Sequence, residues 1–210
     1  KRRKHKVAKS GWLIDTARSI QPNIQSLLEI GCSIGYTLEA AKNREIDHLG
    51  TDISKYAVEY CQQLGLEAEA IDLDLLLDSG KRFDLLFMQH VLEHFENPFE
   101  TLRTCHQLLN KNGLVLILVP NSNYKRAVRK NAKHRFYSKE GVGLEHYTYF
   151  NYKNLEKCLD ATGFKPLQKN YPLFLKKHDT FFYFLNRIFR KALSLFHADQ
   201  EILIIAQKKA

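Results

Sequence analysis

Leu27-Leu-Glu-Ile-Gly-Cys-Ser-Ile-Gly-Tyr36, followed by His48-Leu-Gly-Thr-Asp-Ile-Ser54, spells a strand, a glycine turn, a helix start, a second strand and a terminal carboxylate. The apolar run Leu27 to Ile30 predicts a short buried strand. Gly31 and Gly35 let the backbone turn tightly against a ligand, and Tyr36 to Asn43 begins a helix whose amide end faces it. Asp52 then stands at the tip of the second strand, where a carboxylate accepts both hydroxyls of a ribose. This is how an α/β protein holds a nucleoside.

The glycine pattern narrows the ligand. A dinucleotide fingerprint has a middle glycine that clears space for pyrophosphate, whereas Ser33 occupies that place in Gly31-x-Ser33-x-Gly35. No Gly-Lys-Ser or Gly-Lys-Thr follows, so a triphosphate loop is absent too. The reading is a nucleoside with a compact polar tail, and an NAD-linked oxidoreductase ranks last among the alternatives.

Outward from this core, strands alternate with helices. Trp12, Leu13, Ala17 and Ile20 share one side of a helix over about 7–20, ahead of Pro22. It covers the sheet edge and is placed where it could touch the ligand. Ser54 caps a helix through Leu64 that Gly65 ends, and Ala68 to Ile71 predicts a third short strand. Phe83 to Met88 predicts the fourth strand and Phe99 to Leu109 a helix. Leu114 to Val119 is a near-continuous apolar strand of the buried parallel kind, stopped by Pro120. Asn151 to Thr162 predicts a further helix, with Phe164 to Tyr171 and Glu201 to Gln207 as the last strands. The order predicts a doubly wound sheet with ligands at the carboxyl ends of its strands.

Five stretches, in order, make the chain resemble the class I S-adenosylmethionine-dependent methyltransferases, within them the broad group with a Val-Leu-Glu-His segment after the fourth strand. They are Leu28 to Gly35, Gly50 to Ser54, Ala70 to Leu73, Phe83 to His94 with Asn97-Pro98, and Leu109 to Asn121. A sixth, weaker match runs from His146 to Phe150 and on to Gly163-Phe164. The resemblance implies a Rossmann-like sheet of about seven strands, mostly parallel with an antiparallel last strand and helices on both faces. It implies S-adenosylmethionine as cofactor. Glu29 and Gly31 would hold the methionine end with the loop residues Cys32, Ser33 and Gly35. Asp52 would hold the ribose and Asp72 with Leu73 the adenine edge, Gln89 would lie beside the sulfonium, and Ile53 would be a further cofactor contact. Ser33 replaces a glycine common among relatives, which alters the tail contact.

A chain of 210 residues with 44% hydrophobic composition can bury one substantial core, and one domain is expected over 1–210, with a helical insert over about 178–197. No run reaches the length of a membrane span and no signal peptide is evident, so a cytoplasmic protein is expected. Cys32, Cys61, Cys105 and Cys158 are scattered through predicted elements, which suits reduced structural thiols. The net charge of +9 gathers in Lys1 to Lys6, where a disordered solvated run is the competing reading, and from Lys125 to Lys139. That charge suits an anionic partner: nucleic acid, an acidic lipid leaflet or a phosphorylated small molecule. Phe181 to Phe196 forms a wide apolar arc beside a basic stripe, read as a cap packed on the domain in preference to a helix at the membrane surface or on a lipid substrate.

Methyl transfer from a sulfonium mainly requires alignment and exclusion of water, because the cofactor carries its own leaving group. A hydroxyl acceptor also needs its proton removed. His146, on a basic aromatic segment with Tyr147 and Tyr149, and His94 are the candidate bases, against structural histidines bonded to backbone. His90-Val-Leu-Glu-His94 also fits an H-x-x-E-H zinc pattern, but it follows a buried strand and the methyltransferase match accounts for the same letters, so no metal is expected. The expected activity is methylation of a small-molecule, glycan or lipid-linked acceptor, at oxygen. The alternatives are an RNA or DNA methyltransferase, disfavoured because Ser122 and Asn123 follow Asn121 where an Asn-Pro-Pro-aromatic motif would act on a flipped base, and a non-catalytic cofactor-binding module.

Overall fold

A computed structural model describes residues 2–123, 146–169 and 201–209. The basic stretch Lys125 to Lys139, the insert expected at 178–197 with its Phe181 to Phe196 arc, and the end of the strand expected to reach Tyr171 lie outside the described residues.

Seven strands form one sheet: β1 (Ser26–Ile30), β2 (Asp47–Thr51), β3 (Ala68–Glu69), β4 (Phe83–Gln89), β5 (Leu109–Pro120), β6 (Phe164–Lys169) and β7 (Glu201–Lys208). Their order is β3-β2-β1-β4-β5-β7-β6. β7 runs antiparallel to both β5 and β6, and the other pairs are parallel. Helices α1 (Arg2–Ile20), α2 (Tyr36–Lys42), α3 (Lys55–Gln63), α4 (Leu73–Asp78), α5 (Pro98–Leu108) and α6 (Tyr152–Ala161) complete the described fold, with a 3-10 turn at Leu92–His94.

The continuous apolar run in β5 has a simple cause: both sheet faces are covered. Leu114, Leu116 and Leu118 join Leu13 and Ile14 of α1, Leu38 of α2 and Val58 of α3 on one face. Val115, Ile117 and Val119 join Leu102 and Cys105 of α5 and Leu155 and Leu159 of α6 on the other. Each such side chain contributes about 1.5–3 kcal/mol by leaving water. All four cysteines are buried free thiols.

Three expectations need correction. The first helix starts at Arg2 rather than near residue 7. Its basic start is tied down: Arg3 bonds Glu39 at 2.6 Å and the Ile34 carbonyl at 3.0 Å, and lies over the rings of Tyr36 and Tyr60. The third strand is only two residues long, because the edge pairs with β2 at Ala68 and Glu69 alone. Asp72 then caps α4, a helix the sequence reading missed, by accepting the Asp74 amide at 3.1 Å.

Candidate functional site

Strand order reverses between β1 and β4, whose crossovers lead to opposite ends of the sheet. The crevice at such a switch point, beyond the carboxyl ends of the strands, is where open α/β sheets bind ligands. A solvent-open cavity of about 170 Å³ lies there. Glu29, Gly31, Cys32 and Ser33 from β1 and its loop line it, with Gln89 from the end of β4.

The loop is shaped by backbone conformation. Gly31 has φ +71°, and a Cβ there would stand 2.3 Å from Val91 Cγ2, so no other residue fits without displacement. Gly35 is also left-handed at φ 75° and opens α2. Ser33 adopts φ 48°, and its amide donates to Asp52 Oδ2 at 2.8 Å. Asp52 Oδ1 accepts the Ser54 amide at 2.9 Å. The carboxylate at the tip of β2 thus braces the glycine loop, and each of its oxygens keeps acceptor capacity for a hydroxyl.

Glu29 is 4% exposed, and its Oε2 lacks a hydrogen-bond partner among the described residues. Burial pushes its pKa up to about 8, against the pull of the Thr37 hydroxyl and with a smaller push from Asp52. Cys32 is buried, and burial pushes its thiol far above the ordinary range. The structure therefore brings Glu29, Gly31, Cys32, Ser33 and Gln89 onto one cavity wall. Gly35, Asp52, exposed Ile53, and Asp72 with Leu73 are not part of that lining.

Lys6, Lys9 and Ser10 of α1 and Tyr36 and Thr37 of α2 also line the cavity. These were not singled out from sequence. The available signal was Lys9 near the start of a helix already expected over the sheet, with Lys6 one turn before it. Lys9 pairs with Glu201 at 3.6 Å, and Glu201 bonds His90 Nε2 at 2.7 Å. Burial alone would lower the His90 pKa, but the hydrogen bond to Glu201 and the Glu93 carboxylate beside the ring outweigh it and raise it to about 9. His90 has φ 56°, a left-handed conformation that costs energy outside glycine and asparagine.

On the far side of this chain of charges, the His94 and His146 rings meet edge to face with centroids 4.6 Å apart. The Tyr149 ring is 6.1 Å from His146. The segment from His146 docks because the Tyr147 and Thr148 amides donate to the Glu93 carbonyl at 2.9 and 3.2 Å, while the Ser122 amide donates to the Phe150 carbonyl at 2.8 Å. The two candidate bases, distant in sequence, are therefore neighbours. The H-x-x-E-H grouping does not assemble as written, since His90 turns to Glu201.

Residues 4–169 match the family model described as a methyltransferase domain. A ubiquinone biosynthesis O-methyltransferase of Alkalilimnicola ehrlichii is 30% identical over 106 residues, covering 47% of this chain and 43% of that protein. The one from Coxiella burnetii is 26% identical over 105 residues, covering 47% and 45%. The chain thus matches less than half the length of these curated relatives. The crystal structure of the plantazolicin methyltransferase BamL with a triazolic desmethylPZN analog and SAH superposes with TM-score 0.67 at 16% identity, covering 98% of this chain and 85% of that one. A SAM-dependent methyltransferase from Archaeoglobus fulgidus superposes with TM-score 0.60 at 20% identity, covering 94% of each. These two likenesses establish the fold.

Proposed function

The chain belongs to the methyltransferase-domain family whose model spans residues 4–169, and we propose that it binds S-adenosylmethionine at the β1/β4 crevice and transfers the methyl group to an oxygen acceptor. The observation that carries this is the cavity at the switch point, with a buried carboxyl, a glycine loop and the Gln89 amide on its walls. In this reading Glu29 meets the ammonium of the methionine tail, and Lys6 and Lys9 meet its carboxylate. Asp52 takes the ribose hydroxyls, while Ile53, Asp72 and Leu73 border the adenine. Gln89 faces the sulfonium, where an amide oxygen favours the positive sulfur without reacting with it.

The acceptor enters from the side of His94 and His146. Its oxygen loses a proton, its lone pair forms the new C–O bond, and the carbon–sulfur bond breaks to release a neutral thioether. Alignment and exclusion of water carry most of the rate, and proton removal on the His94 and His146 side supplies the rest. A small-molecule, glycan or lipid-linked acceptor is the class proposed. The curated relatives named as O-methyltransferases of ubiquinone biosynthesis support oxygen as the atom. Incubation with methyl-labelled S-adenosylmethionine and fractionated aqueous and lipid extracts tests the reading. Label should enter one small-molecule fraction and fall at least about tenfold in His146→Ala without loss of cofactor binding. Label only in nucleic acid would contradict the acceptor class, and cofactor binding with no transfer would mark a binding module.

A further inference from the structure

Glu93, His94 and His146 can each offer one oxygen or nitrogen, and these atoms all lie within 4.8 Å of one another. Glu93 is 1% exposed, and neither of its carboxylate oxygens has a hydrogen-bond partner among the described residues. The His90 imidazole stands 3.8 Å from Oε1 but gives its short bond, 2.7 Å, to Glu201. A carboxylate withdrawn from water without a hydrogen-bond donor is costly to keep ionised; the His90 ring at 3.8 Å offsets part of that cost, and a cation shared with further ligands removes the rest. The imidazoles of His94 and His146 stand beside it on two different segments, held in register by the Tyr147 and Thr148 amides on the Glu93 carbonyl.

We propose that Glu93, His94 and His146 bind a divalent transition-metal cation. Two imidazole nitrogens and one carboxylate oxygen suit zinc, iron(II), cobalt(II) or manganese(II), whereas magnesium and calcium favour all-oxygen sets. A narrow cleft bounded by Glu93, Pro120, Ser122, His146, Thr148 and Tyr149 adjoins the set, with room for about one water-sized group such as a hydroxyl. The cation also clasps the segment after residue 145 to the turn that follows β4. Its ligands stand on geometry alone, but its role rests on the methyl-transfer reading above. An acceptor hydroxyl that reaches the cation gives its proton to solvent near neutral pH, and its lone pair then takes the methyl group as the thioether departs. The two histidines then act as ligands, and proton removal no longer falls to a free imidazole.

Chelator-stripped protein titrated with cobalt(II) tests this, because visible ligand-field bands report imidazole and carboxylate ligation independently of turnover. The expected result is saturable uptake displaced by zinc, weakened about tenfold or more in both Glu93→Gln and His146→Ala. Glu93→Gln preserves shape, and circular dichroism identifies any variant that has not folded; His146→Gln then replaces His146→Ala. No saturable bands in the unmodified protein, or bands that survive in both variants, overturns the site. Calorimetry with S-adenosylhomocysteine on the same samples separates the two readings. Cofactor binding without cobalt removes the cation alone, and cobalt binding without cofactor removes the methyl-transfer reading alone.

Discussion

Asp52 Oδ2 accepts the amide of Ser33 at 2.8 Å, so the carboxylate assigned to the ribose also braces the loop assigned to the amino-acid tail. Its other oxygen holds the Ser54 amide at 2.9 Å, at the start of α3. One side chain therefore fixes the loop, the tip of β2 and a helix N-terminus together.

Asp52→Asn and Asp52→Ala should differ in a defined order. Both lose the charge, but asparagine keeps one acceptor oxygen, whereas alanine leaves both amides without their partner. Hydrogen bonds to a charged group contribute about 1.5–3 kcal/mol each, less where water reaches them. Denaturant unfolding should place Asp52→Ala below Asp52→Asn, with both below the unmodified protein. Equal stabilities for all three would show that the brace is incidental.

Ligand binding at Glu29 should release a proton. The group stands near pKa 8 because it is buried, so the ligand-free carboxyl is protonated at neutral pH. A docked ammonium favours the ionised form. Calorimetry below pH 8, in buffers of different ionisation enthalpy, should give heats that scale with the buffer, and Glu29→Gln should abolish that dependence. The linkage sign follows. The folded pKa is raised from 4.5 to about 8, so this group's stabilising contribution is fully present below pH 4.5 and is lost as pH rises through about 8. Glu29→Gln should flatten that decline in the ligand-free protein.

Gly31→Ala meets two obstacles: φ +71° and a Cβ placed 2.3 Å from Val91 Cγ2. A loss of about 1–3 kcal/mol in stability is expected, with weaker cofactor binding. Adding Val91→Ala should recover the steric part and leave the backbone part. Thermal denaturation of the single and double variants would show this as partial rescue; no rescue would mean that the backbone conformation carries the whole effect.

Lys9→Met should weaken S-adenosylhomocysteine and spare methylthioadenosine, which lacks the amino-acid tail. Lys9 lines the cavity and is held by Glu201. Loss of a charged contact to a carboxylate corresponds to about 1.5–3 kcal/mol in affinity. Competitive displacement by the two ligands measures the difference. Equal weakening of both would move Lys9 away from the tail.

Much of this fold is legible locally. Leu114 to Val119 is apolar at every position because helices cover both sheet faces, and Gly31 and Gly35 mark the left-handed turns that bend the chain over the crevice. The helix Leu73–Asp78 was missed although Asp72 and Asp74 signal its start, because its apolar run resembles a strand as much as a helix. The basic start of α1 is ordered by Arg3 through Glu39, Ile34 and two tyrosine rings, contacts that no local pattern displays. For the same reason the approach of His146 to His94, and the short bond of His90 to Glu201, arise only when β7 and the segment after residue 145 are brought to the β4 end.

The central claim, a nucleoside pocket at the β1/β4 crevice closed by Asp52, is tested most directly by calorimetric titration with S-adenosylhomocysteine of the unmodified protein and of Asp52→Asn. The account predicts saturable binding to the first and a loss of affinity of about tenfold or more in the second, whose fold is retained. Equal affinity in both, or no binding by the folded unmodified protein, would contradict it.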